Sequence, residues 1–301
     1  MIVIETDFQQ PFRYPTALTA CLGYFDGLHI GHQALIQTAK RLGQPIAVVT
    51  FDRNPKKSRS DQLLTPLSVK KELLETWGVD VLIILQFNAY VEKLSPHAFL
   101  DHLFTFGITS LVFGEDFRFG HHALGDKDTI FKDARFTSHL VSTQTYASQK
   151  ISSSTLLSLL SLGHVETVRQ QLGRPYQVRG YVGHGFKKGT ELGYPTANVV
   201  LEEPFYLPKN GVYMTRFWVD GTAFFSLASL GYHPTVANLS KPSLEVHVLD
   251  FQGNLYEKHV YVDFLGYLRE EQKFASLADL VRQMDQDKAT ALARKKDVFS
   301  T

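Results

Sequence analysis

Hydrophobic and polar positions change period once along the chain, near residue 173. Before that point, strand-length apolar runs at 17–22 (ALTACL), 45–51 (PIAVVTF), 79–87 (VDVLIILQF) and 111–114 (LVFG) alternate with stretches of helical spacing. The helical stripes are Leu35, Ile36 and Ala39, then Val69, Leu73 and Leu74, then Phe99, Leu100 and Leu103, the last opened by Ser95 as N-cap and Pro96 in the first turn. Uninterrupted apolar strands alternating with helices predict a parallel sheet covered on both faces, a doubly wound α/β domain. Two further helices, at 156–162 and 165–172, lead to the boundary. Beyond it the alternation becomes two-residue. Val182, Val199 and the runs 212–219, 222–227, 244–251 and 260–264 read as antiparallel strands, with Asp220-Gly221 and residues 252–254 as hairpin turns. So many short strands predict a small barrel or sandwich. A last helix starts at Ser276, with Asp279 three residues on and Leu277, Leu280, Val281 and Met284 as its apolar stripe. The predicted domains are 1–172 and 173–301.

A chain of 301 residues is long enough for two cores. A net charge of +1 without long blocks of like charge advertises neither a nucleic-acid surface nor an anionic-membrane surface, so a small ligand is expected. Cys21 is the single cysteine, which excludes an internal disulfide and a thiolate metal cluster. No 18-residue apolar run and no signal-like N-terminus is present, and the expected compartment is the cytoplasm.

The first domain is organised around Gly23-Tyr24-Phe25-Asp26-Gly27-Leu28-His29-Ile30-Gly31-His32, which follows the first apolar run and precedes the first helical stripe. Glycines let backbone approach a ligand, a helix N-terminus offers unpaired N–H groups and a positive dipole end, and His29 and His32 add donors. A nucleoside triphosphate is the expected cargo. The competing reading is a tight strand-to-helix turn with two solvated histidines.

Other segments carry two readings each. Gly114-Glu115-Asp116-Phe117-Arg118-Phe119-Gly120 follows a strand, where α/β sheets bind ligands, yet it also reads as a capped surface turn; His121 and His122 beside it read as solvated. Ser152, Ser153 and Ser154 stand at a helix entrance, suited to an N-cap and to phosphate alike. The glycines from Gly183 through Gly185 and Gly189 to Gly193, followed by Tyr194-Pro195-Thr196-Ala197-Asn198, suit a flap over ATP and a Mg²⁺ site of hard oxygens, or simply bulges and turns. Leu244, Val246 and Val248 share one strand face, so Glu245 and His247 share the other, and Glu245 is either a general base or an outward solvated residue.

In order, G-x-F-D-G-x-H-x-G-H, T-F-x-x-x-P (50–55), G-x-D-F-x-F-G (114–120), I-S-S (151–153), L-G-R-P (172–175), G-x-x-L-G-Y-P-T-A-N (189–198), L-P-x-N-G-V-Y (207–213) and E-V-H (245–247) resemble the prokaryotic bifunctional riboflavin kinase/FMN adenylyltransferase family. The resemblance covers nearly the whole chain. It implies an N-terminal nucleotidyltransferase domain and a C-terminal six-stranded riboflavin kinase barrel with a C-terminal helix, making FMN from riboflavin and FAD from FMN with ATP and Mg²⁺. By the same resemblance His29 and His32 bind the ATP phosphates, with Gly23, Phe25, Asp26, Gly31 and Ser153 around the nucleotide, and Asp116 and Phe117 shape the flavin or nucleotide pocket. In the barrel, Gly183, Gly185 and Gly189 close over ATP, Thr196 and Asn198 hold Mg²⁺ and phosphates, Glu245 is the base toward the riboflavin 5′-hydroxyl, and Arg269 meets the flavin phosphate.

Four positions depart from that pattern: Asn54 stands where the family has His, Leu157 and Thr190 where it has Arg, and Glu257 where it has Gly. The kinase half keeps its base and its metal ligands, while the adenylyltransferase lacks a cation. The expectation is therefore a bifunctional enzyme with a weakened second activity. A riboflavin kinase with a degenerate adenylyltransferase domain and a non-catalytic flavin or nucleotide sensor are the alternatives. The resemblance and the motifs leave the oligomeric state open.

Overall fold

A computed structural model of the chain describes residues 1–53, 62–184, 194–233 and 241–299. It divides into two compact units, Met1–Ser153 and Ser154–Thr301.

The first unit runs β1 (Ile2–Thr6), β2 (Leu18–Leu22), α1 (Ile30–Lys40), β3 (Ile46–Phe51), α2 (Leu67–Thr76), β4 (Val81–Leu85), α3 (Ala89–Glu92), α4 (Pro96–Thr105), β5 (Ile108–Gly114), α5 (Lys127–Phe131) and β6 (Thr137–Val141), then a small hairpin, β7 (Thr145–Tyr146) and β8 (Gln149–Lys150). Its six-stranded parallel sheet has the order β1-β4-β3-β2-β5-β6. Strand residues alternate between two cores. Leu18, Ala20, Leu22, Val49, Ile83, Leu111 and Phe113 lie in one, and Cys21, Val48, Leu82, Ile84 and Val112 in the other. Hence the uninterrupted apolar runs: with helices on both faces, neither side of a central strand meets water. The edges β1 and β6 are half exposed and left no such run to read. Ser95 does cap α4, its hydroxyl accepting from the Ala98 amide at 3.1 Å.

The second unit begins with α6 (Ser153–Ser161), which starts on the last residue of the first, and α7 (Val165–Leu172), ended by Gly173 in the left-handed region (φ +70°). These helices account for the difference between the compact units and the 172/173 boundary read from the sequence. Then follow β9 (Tyr176–Gly183), β10 (Ala197–Leu201), β11 (Gly211–Val219), β12 (Thr222–His233), β13 (Lys241–Val248), β14 (His259–Arg269) and α8 (Leu277–Phe299). The six strands close into an antiparallel barrel of order β10-β13-β12-β11-β14-β9. Val219 pairs with Thr222 across a two-residue turn in which Asp220 and Gly221 have φ +50° and +76°, the hairpin geometry Asp-Gly favours.

α8 departs from the predicted stripe. Ser276 and Asp279 form the expected capping pair, at 2.7 and 3.1 Å. Leu277, however, is 67% exposed, and the buried residues of the helix are Asp287, Ala291 and Val298. The reason is a polar anchor: Arg269 grips Asp287 through Nε and Nη2 at 2.7–3.0 Å, which rotates the helix so that Ala291 and Val298 meet Met214, Phe225 and Leu265.

Candidate active sites

In the first unit β2 has β3 on one side and β5 on the other, so the crevice beyond its carboxyl end is the place where strand order reverses. Gly23 to His32 leaves β2 there, Thr50 and Phe51 end β3, and Gly114 ends β5. Three separate sequence blocks therefore meet at one end of the sheet.

The turn is backbone-strained. Phe25, Gly27 and Leu28 have φ of +55°, +84° and +47°, and only the second is a glycine. Such a residue costs about 1–3 kcal/mol, while full burial of a large apolar side chain contributes about 1.5–3 kcal/mol. Phe25 and Leu28 are both fully buried among Ile36, Val48 and Leu82, so the core offsets the strain. The buried Phe25 ring packs against the His32 ring, with centroids 4.8 Å apart. Asp26 is buried as well: its carboxylate accepts from the Thr65 amide at 3.0 Å and its carbonyl from Ser153 Oγ at 2.8 Å. The serine at the start of α6 is thereby tied to the turn.

His29 is the N-cap of α1 and His32 lies in its first turn, where the amides of His32 and Gln33 both donate to the His29 carbonyl. Their rings stack at 3.8 Å and 19°. Gly31 permits this, since a Cβ there would stand 3.0 Å from the His29 ring. Two imidazoles at a helix N-terminus form an anion-accepting surface. Asp116 is exposed and paired with Lys150, and Phe117 stacks on Phe119 with ring centroids 5.6 Å apart, so this block combines a surface ion pair with a tucked aromatic pair. His121 and His122 have ring centroids 3.9 Å apart. Among the described residues no group of three or more His, Cys, Asp or Glu is placed to hold a metal.

In the barrel, Gly183 pairs with Asn198 on β9 and β10, and Asn198 with Glu245 on β10 and β13. Residues paired laterally share a face, as do Thr196 and Asn198, two apart. Leu244, Val246 and Val248 point to the core, which leaves Thr196, Asn198, Glu245 and His247 on the outer face, each half-buried. The Thr196 hydroxyl donates to Glu245 Oε2 at 3.3 Å. Gly183 is a packing glycine: a Cβ would lie 2.8 Å from Val200 Cγ2. His247 Nδ1 is 2.9 Å from the Pro195 carbonyl, and burial, with Lys288 adding to it, holds its pKa below the usual range against that hydrogen bond. Tyr194 bonds Asp285 of α8, and burial first, then Asp285, pushes its hydroxyl up to about 12. Arg269 is held by Asp287 and donates to the Glu270 carbonyl at 2.9 Å. Gly185, Gly189, Thr190 and, in the first unit, Asn54 lie outside the described residues.

Two family models match. The FAD synthetase model covers residues 13–155 and the riboflavin kinase model residues 172–294. The chain belongs to the bifunctional riboflavin kinase/FMN adenylyltransferase family. Proteins bearing that description include one from Listeria monocytogenes, 37% identical with 88% of each chain covered, and one from Bacillus subtilis, 34% identical with 90% of each covered. A crystal structure from Streptococcus pneumoniae, described as a macrolide-efflux protein, superposes with a TM-score of 0.91 at 28% identity, covering 97% of this chain and 99% of that one. Among the described residues here, no helix is long and apolar enough to cross a membrane.

Within this family member the structure adds residues that motif reading missed. Lys70 and Thr65 reach Tyr24 and Asp26 of the glycine turn from α2 and the segment before it, and Asp285 and Asp287 reach Tyr194 and Arg269 from α8. None stands in a recognisable motif. The one sequence signal was a lysine beside Val69 within a stripe otherwise apolar on its buried side.

Proposed function

We propose that the barrel transfers the γ-phosphoryl group of ATP to the 5′-hydroxyl of riboflavin, and that the first unit transfers AMP from a second ATP to the FMN so formed, in the cytoplasm. The observation that carries the first half is the outer-face set Thr196, Asn198 and Glu245, which puts one carboxylate beside a hydroxyl and an amide. A primary alcohol attacks poorly until a positioned base removes its proton. Glu245 takes that proton as the 5′-oxygen bonds to the γ-phosphorus and the bond to ADP breaks. Hard oxygen donors on one face fit Mg²⁺, with Thr196 and Asn198 as its protein ligands. The metal, when bound, neutralises charge on the transferred phosphoryl group.

For adenylyl transfer, a phosphate oxygen of FMN bonds to the α-phosphorus and pyrophosphate leaves. No covalent intermediate is needed. The stacked His29 and His32 at the N-terminus of α1 hold the phosphates and stabilise the charge that builds there. The division of activities is proposed at 1–172 and 173–301, with Asp116 and Phe117 beside the first substrate and Arg269 beside the flavin phosphate in the second.

A second reading, a kinase with a degenerate adenylyltransferase, is favoured by one observation: Leu157 occupies the position where the family pattern has arginine. The test is a time course with riboflavin, ATP and Mg²⁺ that resolves FMN from FAD, then FMN supplied alone with ATP. The bifunctional reading expects FMN to appear first and FAD later, and FAD from supplied FMN. FMN without FAD in either arm selects the second reading, and neither product refutes both.

A further inference from the structure

We propose that Lys70 is a positioning residue for adenylyl transfer: from the buried side of the phosphate turn its ammonium holds the Tyr24 carbonyl and balances Asp26, keeping the left-handed path that sets the start of α1 against the ATP phosphates. This deepens the adenylyltransferase reading of the first unit and rests on it.

Lysine is almost never buried without a partner, since taking an ammonium from water costs several kcal/mol. Lys70 is 4% exposed. Its Nζ donates to the Tyr24 carbonyl at 2.9 Å, stands 3.4 Å from Thr50 Oγ1 and lies 4.7 Å above the centre of the Tyr24 ring. The Thr50 hydroxyl donates to the same carbonyl at 2.7 Å. That carbonyl is the last group before Phe25, the first residue of the turn with positive φ, and is thus gripped from two sides where the chain enters the strained turn. On the other side of Phe25 is Asp26, the charged group that bears on Lys70; Tyr24 is the titratable ring in contact, and Asp52 bears on Tyr24. One ammonium therefore acts on both residues that flank Phe25.

Burial lowers the Lys70 pKa to about 8, with Asp26 acting in the opposite direction. As pH rises through about 8 the group becomes a neutral amine, and the positive charge it places beside Tyr24 and Asp26 is gone.

The experiment compares the full-length protein with Lys70→Met, which keeps chain length and helix propensity but removes donor and charge. FAD formation from FMN and ATP is followed from pH 6.5 to 9.5, with riboflavin phosphorylation in the same samples as the control. In the parent, kcat/KM for FAD formation should fall as pH rises through about 8. In the variant it should be lower by about tenfold at pH 7 and flat through that range, with phosphorylation unchanged. Amide hydrogen exchange over residues 23–29 of the parent, corrected for intrinsic rates, should show the turn opening at pH 9 relative to pH 7 while β3 and β4 stay protected. A variant with the parent's rate and pH profile overturns the proposal, and so does a turn equally protected at both pH values. Should the parent make no FAD at all, the adenylyltransferase reading falls, and the exchange comparison still decides what Lys70 does.

Discussion

Glu245 has a half-buried position on the outer face of β13, with the Thr196 hydroxyl 3.3 Å away, so it is not a core carboxylate, and the base role proposed for it rests on that placement. Glu245→Gln should leave the barrel folded and flavin bound while FMN formation drops about 100-fold or more, the scale of a lost general base. Near-parental phosphorylation by that variant removes Glu245 from the role. Thr196→Ala loses one contact of about 1–1.5 kcal/mol, so the Mg-ATP requirement should rise by on the order of tenfold with little change in thermal stability. Glu257 makes a different point at the same scale. It takes the left-handed conformation, φ +64°, at a place where the family pattern has glycine. A side chain there costs about 1–2 kcal/mol, partly offset by the greater chain entropy that glycine loses. Glu257→Gly should therefore stabilise the second unit by about 1 kcal/mol, a rise of about 2–4 °C in its melting temperature, and a fall would refute the strain.

Elements show what the sequence carried and what it did not. β2, β3 and β4 were legible because burial on both faces leaves an uninterrupted apolar run, α1, α4 and α7 because burial on one face imposes a period, and Asp220-Gly221 because one turn geometry selects those residues. The longer reach of β12 and β14, to His233 and Arg269, was not, since Ala228, Ser229, Gly231 and Gly266 break the alternation. The stripe of α8 misled for a related reason: its orientation follows the Arg269–Asp287 pair, which no hydrophobic period records. Asp287→Ala leaves a largely buried guanidinium without its carboxylate, a loss of about 3 kcal/mol or more. At about 2–4 °C per kcal/mol for a unit of this size, melting should fall by roughly 6–12 °C. An unchanged melting temperature would mean that the pair does not anchor α8. On α6, Leu157 stands where the family pattern has arginine, and a charge-assisted contact of the kind an arginine makes to phosphate is worth about 1.5–3 kcal/mol, or roughly one to two orders of magnitude. Leu157→Arg should accordingly raise FAD formation within that range. No gain would show that the missing charge is supplied from elsewhere.

At the scale of the molecule, the two proposed site sets belong to different architectures, a glycine turn at the switch point of a parallel sheet and an outer strand face of a closed barrel. Ordered motifs in the sequence pointed to both, but left each proposed site residue with a bland alternative, because spacing says which face a side chain takes and not what lies beside it. His29 and His32 acquire meaning from their stacking at a helix N-terminus, Glu245 from its neighbour Thr196. If the two chemistries are separate, they should be separable by one substitution each. The most direct measurement is a crossover of Glu245→Gln and His29→Ala, each assayed for FMN from riboflavin and for FAD from supplied FMN. Glu245→Gln should lose FMN formation and keep FAD formation, and His29→Ala should do the reverse. Either substitution abolishing both products in a folded protein, or His29→Ala still making FAD at the parental rate, would contradict the account.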